Sequence, residues 1–162
     1  MTRRFGRAPR GTRVEAAVPH GHWKVVTLTA AVRLGGVGAC LAFDGATDAA
    51  CFETYIGQCL TPTLRPGDIV VMDNLPCHKT AEVRRLIRSA GAAVRYLPAY
   101  SPDLNPIEEL FSKLKEGLRA ASARTVAALI GAMGDALNAV TTGDILGWFD
   151  HCGYATTKRE PL

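Results

Sequence analysis

The sequence predicts an α/β domain, a mixed sheet flanked by helices. Three observations carry that reading. Lys24 to Leu34 and Val37 to Phe43 are β-branched, partly alternating runs separated by Gly35-Gly36, which reads as a hairpin. Ile69 to Met72 is an unbroken apolar run that ends in Asp73. A parallel strand buried on both faces has that look, and it delivers its last side chain to the carboxyl edge of a sheet, where open α/β sheets place their sites. After the hairpin, helical and strand patterns alternate, which puts helices on the faces of the sheet.

Each element has its own justification. Residues Met1 to Trp23 are turn-rich and basic, with Arg3, Arg4, Arg7, Arg10 and Arg13 set against Glu15 alone. This segment reads either as a solvated hairpin or as an arm whose guanidinium groups suit phosphate. His20-Gly-His22 reads as loop rather than as a metal pair. Asp44-Gly45 after the second strand is turn chemistry, which outweighs a catalytic reading of Asp44. Asp48 is placed to cap a helix whose buried face is Phe52, Tyr55, Ile56, Cys59 and Leu60, closed by Pro62, Pro66 and Gly67. Ile69 to Met72 is the central strand. Lys79 to Ala90 reads as a helix with Val83, Leu86 and Ile87 inward, Arg84, Arg85 and Arg88 outward, and Gly91 as its C′ residue. Ala93 to Leu97 is the next strand.

Pro98, Pro102 and Pro106 stiffen the following loop. Asn105 at the N-cap and Pro106 at the first helical position open a helix from Ile107 to Ala121. Thr125 caps a further helix carrying Val126, Leu129, Ile130, Met133 and Leu137, and Ile145 to Phe149 is a short apolar piece. The reading is one domain over residues 1–155 with a loose tail at 156–162.

The bulk properties exclude several classes. No stretch approaches the ~18 apolar residues of a membrane span, and the arginine-rich start has no apolar region behind it, so no signal peptide is expected. Five cysteines without a Cys-x-x-Cys pair give an odd count, which favours a reducing, cytoplasmic setting over a disulfide framework or a zinc site. A net charge of +4 permits a phosphate-bearing partner without demanding one.

The chemistry concentrates in two strings: Asp73-Asn-Leu-Pro-Cys-His78-Lys79, and Tyr100-Ser-Pro-Asp-Leu-Asn-Pro-Ile-Glu108 followed by Leu114-Lys115. Together they resemble the catalytic half of a DDE transposase of the Tc/mariner superfamily, bacterial insertion-sequence branch. The resemblance runs over most of the chain, although only its central third carries strong motifs. It implies a ribonuclease-H-like fold in which three carboxylates, Asp, Asp and Glu, hold divalent metal, Mg2+ or Mn2+, for DNA cleavage and strand transfer. Hard oxygen ligands are what such ions require. Asp73 and Glu108 match two of the three carboxylates. Asn74 and His78 are candidates for positioning, with a simple loop histidine as the alternative for His78. No chemical role is expected of Cys77, and Asp103 reads as turn chemistry.

The residues themselves choose between Glu108 and Glu109. Ile107, Leu110, Phe111, Leu114 and Leu118 form one apolar stripe at ~100° per residue. Glu108 falls on the flank of that stripe, close to the core edge, with Ser112, Lys115 and Arg119, while Glu109 falls nearly opposite, toward solvent. A plain structural explanation of Glu108 also exists, since Asn105-Pro-Ile-Glu108 has capping-box spacing. Lys115 and Arg119, with Arg3, Arg4 and Arg7, are the expected DNA-phosphate contacts, a solvated helix face being the alternative for the first two.

Two features of the resembled family have no counterpart here: the helix-turn-helix region that reads transposon ends, and the first catalytic Asp on the first strand. The expectation is therefore an N-terminally incomplete domain lacking that strand. A relic, the second product of a frameshifted element and a mis-called start all give this pattern. An upstream-frame product carrying the helix-turn-helix and the first Asp, and a second copy forming a homodimer, are the expected partners besides transposon ends and target DNA. The competing reading is a catalytically dead DNA-binding or dimerisation remnant. A repair or RNA-cleaving nuclease of the same fold fits the Tyr100–Glu108 string less well.

Overall fold

The computed structural model describes residues 6–15 and 24–154; Arg3, Arg4, the His20-Gly-His22 pair and the tail lie outside the described residues. Gly6–Glu15 is exposed throughout and turns at Pro9, whose carbonyl accepts from the backbone N–H and the hydroxyl of Thr12.

Strand β1 (Val26–Arg33) pairs antiparallel with β2 (Gly36–Asp44) through a turn at Leu34-Gly35. The ladder shifts register between Thr29 and Ala31, and Ala39 takes a left-handed φ of 45° there, as bulged residues do. Asp48 caps α1 (Ala49–Tyr55), its Oδ1 accepting from Cys51 N–H at 2.8 Å. The helix then widens into one π-helical stretch, Ile56–Leu60, before a 3-10 turn over Thr61–Thr63. Pro62 has no N–H to continue an α-ladder, and the Ile56 carbonyl accepts instead from both the N–H and the hydroxyl of Thr61.

Strand β3 (Ile69–Met72) pairs parallel with β4 (Ala93–Tyr96), joined by α2 (Ala81–Ser89). The helix begins two residues later than Lys79, because Thr80 takes extended backbone and caps Val83 N–H at 3.1 Å, while Pro76–Lys79 form a separate 3-10 turn. Gly91 follows α2 with φ 75°, and a Cβ there would sit 3.1 Å from the Pro66 backbone, so both conformation and space call for glycine. Phe52, Tyr55, Ile56 and Leu60 meet Val83 and Ile87 in the main core, with Met72, Val70 and Val94 from the β3–β4 pair and Ala31, Ala39 and Leu41 from the hairpin.

Three helices complete the chain: α3 (Pro106–Ala121), α4 (Val126–Asn138) and α5 (Thr142–His151). Leu110, Leu114 and Leu118 of α3 are buried, as are Met133 of α4 and Ile145 of α5. Gly117 lets α4 approach closely, since a Cβ there would lie 3.3 Å from that of Ala136. No single helix among the described residues is long and apolar enough to cross a membrane.

Three expectations need correction. Among the described residues the strands form not one hydrogen-bonded sheet but two pairs, β1–β2 and β3–β4, whose outer edges have no partner strand. They nevertheless share one core, and Arg33 at the end of β1 reaches Asp68 before β3 at 2.6 Å. Strand β3 is covered on one face only: Met72 is buried, whereas Ile69 and Val71 stand 60% and 37% exposed. An apolar run signals two-sided burial only if something packs on both faces, and none of the described residues covers the second. The short apolar piece at 145–149 is the middle of α5, and Ile130 of α4 stands 48% exposed.

Candidate active site

The carboxyl end of β3 is fixed by its neighbour. Leu97 N–H donates to the Met72 carbonyl at 2.8 Å, and the Asn74 side-chain amide returns a bond to the Leu97 carbonyl. Asp73 therefore leaves a strand end clamped on both sides. Its Oδ1 accepts from Leu75 N–H at 3.1 Å and lies 2.6 Å from His78 Nδ1. The second contact is short but off the line of a ring N–H, so it is a close approach rather than a hydrogen bond. Oδ2 bonds no group among the described residues, and the side chain is half exposed. A carboxylate with one oxygen held and one offered outward is what a rigid ligand for a hard cation looks like.

His78 is not a loose loop histidine. Its ring packs on Phe52 with centroids 4.1 Å apart, Tyr96 Oη donates to its carbonyl at 3.0 Å, and its side chain is mostly buried. Phe52 and Tyr96 lie outside the motif strings, and only their burial betrays their part in holding this ring. Cys77 takes no part in these contacts.

Glu108 is the third residue of α3. The capping-box explanation fails, because the Asn105 side chain makes no cap bond; Asn105 contributes only its carbonyl, to Glu108 N–H at 3.0 Å. The Glu108 carboxylate is exposed and bonds nothing among the described residues. Glu109 instead turns to α5, its Oε1 3.9 Å from His151 Nε2. The helical wheel puts Glu108 near the core edge and Glu109 toward solvent; the structure reverses their exposure, because α5 packs against the Glu109 side and leaves Glu108 open. Both sit at a helix N-terminus, whose partial positive charge favours carboxylate.

The connection from Leu97 to Glu108 is held at its far end. Pro102–Leu104 form a 3-10 turn, and Tyr154 Oη donates to the Leu104 carbonyl at 3.0 Å with its ring edge-on to Phe149. Tyr154 has no signal in the sequence, since it comes fifty residues after the carbonyl it holds. Asp103 in the turn is exposed, and Asp44, the last residue of β2, is far along the hairpin at the Val26 end.

Along α3, Glu108, Ser112, Lys115 and Arg119 make one exposed strip without partners among the described residues. Lys113, one position round the helix, instead bonds Asp144 of α5 at 2.5 Å. Asp144 also accepts from Thr141 in a capping box, and the Lys113 ammonium with the Thr141 donors holds its carboxyl down to about 2. Arg7 is exposed on the N-terminal turn. No three His, Cys, Asp or Glu side chains among the described residues converge as a metal-ligand group. Asp73 and Glu108 each leave carboxylate oxygen without a partner among the described residues, the kind of donor a hard divalent cation takes.

The sequence profile of the DDE superfamily endonucleases matches residues 1–130. No curated protein matches in sequence. Among solved structures, the Mos1 strand transfer complex superimposes with a TM-score of 0.70 at 19% identity, covering 94% of this chain and 46% of that one. The Mos1 mariner paired end complex with Mn gives 0.69 at 19% identity, over 94% and 49%. The ribonuclease-H-like reading of the fold stands on these superpositions. This chain spans about half the length of the structures it matches.

Proposed function

This chain belongs to the DDE superfamily endonucleases, and we propose that it serves as a transposase catalytic domain for metal-dependent DNA cleavage and strand transfer. The observation that carries the proposal is the pair Asp73 and Glu108. Each presents a carboxylate with oxygen to spare, one from a clamped strand end and one from the first turn of α3, at the two ends of a single proline-stiffened connection. Magnesium or manganese would be held between them, and a divalent ion there would polarise the phosphodiester and activate the attacking oxygen. The protein's own share is positional. Asn74 fixes the height of Asp73, His78 stands against one of its oxygens, and Lys115 and Arg119, with Arg7 and the arginines before it, neutralise backbone phosphate.

The third carboxylate of the family reading is proposed to come from a further strand, not from Asp44. The unpaired edges of β1 and β3 support this. They belong to strands that share a core and are bridged at one end by Arg33 and Asp68, yet they do not bond each other. A donor strand could be an upstream segment of the same protein, an upstream-frame product, or part of a second copy in a dimer. We place the end of the domain just past Tyr154, whose hydroxyl still holds the Leu104 turn. Work on transposon ends and target DNA would put the protein in the cytoplasm with the nucleoid. The second reading, a catalytically silent DNA-binding remnant, is favoured by one observation, the want of a three-ligand cluster among the described residues.

The deciding experiment is a nicking assay on DNA carrying the element's ends, with Mg2+ or Mn2+, comparing this chain with one extended upstream by an acid-bearing strand. The expected result is little or no cleavage by the 162-residue chain and robust cleavage by the extended one. Robust cleavage by the short chain, abolished by Asp44→Ala, would overturn the placement of the first carboxylate; no cleavage by either would favour the silent remnant.

A further inference from the structure

Among the described residues three other than glycine have positive φ: Ala39, Tyr100 and Ser122. Ala39 is the bulge of the hairpin and Ser122 ends α3, so the fold explains both. Tyr100 has no such explanation. Its φ is 59°, a left-handed conformation that disfavours a bulky side chain, and its side chain is 102% exposed, so the ring touches nothing in the fold. The chain thus bears two costs, strain in the backbone and an aromatic ring in water, with no return inside the described structure.

The location gives the return a direction. Pro98 and Pro102 bracket the residue, and the Ser101 carbonyl accepts from Leu104 N–H at 3.2 Å, so the turn is held in place. Leu97, three residues before, is bonded to Asn74 beside Asp73, and three residues of chain reach at most about 11 Å. Tyr100 therefore lies within about three nucleotide rises of the clamped strand end, at ~3.4 Å each, on the connection that leads to Glu108. A phosphate at that place would be met by Arg or Lys; a phenol ring offers a flat π-face, whose complement in nucleic acid is a base taken out of the duplex stack.

Resting on the endonuclease reading above, we infer that Tyr100 is a stacking platform for an unpaired base next to the scissile phosphate, and so a positioning and specificity residue of the cleavage junction. The hydroxyl is dispensable in this role and the ring is not. A paired base inside a duplex cannot present its face, so the contribution appears only on DNA with an unstacked nucleotide.

The test uses the full chain and two duplexes, one blunt and one with a four-nucleotide 3′ tail whose first unpaired base is 2-aminopurine. Wild type and Tyr100→Phe should bind the tailed duplex more tightly than the blunt one and quench the 2-aminopurine. Tyr100→Ala should lose about 5- to 150-fold on the tailed duplex, the range of one base–aromatic stack, and nothing on the blunt one. Tyr100→Gly should lose the same preference while its melting temperature rises, because glycine relieves the positive φ. A merely structural tyrosine predicts the opposite shift in melting temperature, and that result would overturn the inference. So would tailed-duplex binding by the Ala variant equal to wild type, or a Tyr100→Ala defect confined to self-association. If wild type binds neither duplex, the endonuclease reading falls first and the stacking role with it.

Discussion

On the flank of α3 that meets α5, Glu109 approaches His151 and Lys113 bonds Asp144. About 100° round the same helix, Glu108, Ser112, Lys115 and Arg119 bond nothing among the described residues. The two flanks have similar composition and opposite fates. The paired flank serves the packing of α5, where a capping box and an ion pair share the Asp144 carboxylate. The other flank contributes nothing visible to stability, and charge that a fold leaves unpaired is available for a ligand.

That contrast can be broken most sharply at its acidic end. Asp73→Asn or Glu108→Gln should weaken Mn2+ binding, followed by electron paramagnetic resonance, on the order of 100-fold, since losing even an outer partner of a ligand costs 10- to 100-fold. The melting temperature without metal should hardly move for Glu108→Gln; a large fall would mean that the free flank is structural after all.

A smaller effect is expected from the basic end. Lys115→Ala with Arg119→Ala should lower the log–log salt slope of DNA binding by roughly 0.9 for each phosphate no longer neutralised, at unchanged stability. An unchanged slope removes this strip from the interface.

On the paired flank the expected effect is one of pH. Asp144 is held below its ordinary 3.8, at about 2, so its contribution to stability is complete above about pH 4 and is lost as pH falls towards 2. Melting curves of wild type should therefore decline more steeply through that window than those of Lys113→Met; parallel curves would show that the ion pair does not hold the carboxyl down. The smallest effect belongs to Glu109→Gln, which should leave Mn2+ affinity as it was.

Much of this arrangement was legible in the sequence because local rules decide it. Asp48 and Thr125 cap helices where a carboxylate or hydroxyl precedes an apolar repeat, and Asn105-Pro106 opens α3 as its spacing implies, whereas the Thr80 cap shortens a helix that reads as starting at Lys79. The periodicity of α3 puts Leu110, Leu114 and Leu118 inward, as their burial shows, but it holds no sign that α5 covers the Glu109 side and leaves Glu108 in water. What could not be read depends on contacts between distant segments. The exposure of Ile69 and Val71 depends on what packs over them, and the Tyr154 bond to Leu104 depends on where α5 docks. The start of α5 was legible and overlooked: Thr141 and Asp144 have capping-box spacing, with Asp where Glu is usual.

The pairing of the strands has a consequence for how the chain folds. Each ladder joins neighbours in sequence, β1 to β2 across a two-residue turn and β3 to β4 across α2, and no backbone ladder ties one pair to the other. Each half can then complete its hydrogen bonds at low loop-closure cost, and the late event is the docking of side chains around Phe52, Tyr55 and Ile56. Native-state hydrogen exchange should accordingly resolve two cooperative units, one opening across Val26–Asp44 and the other across Ile69–Tyr96, with separate free energies.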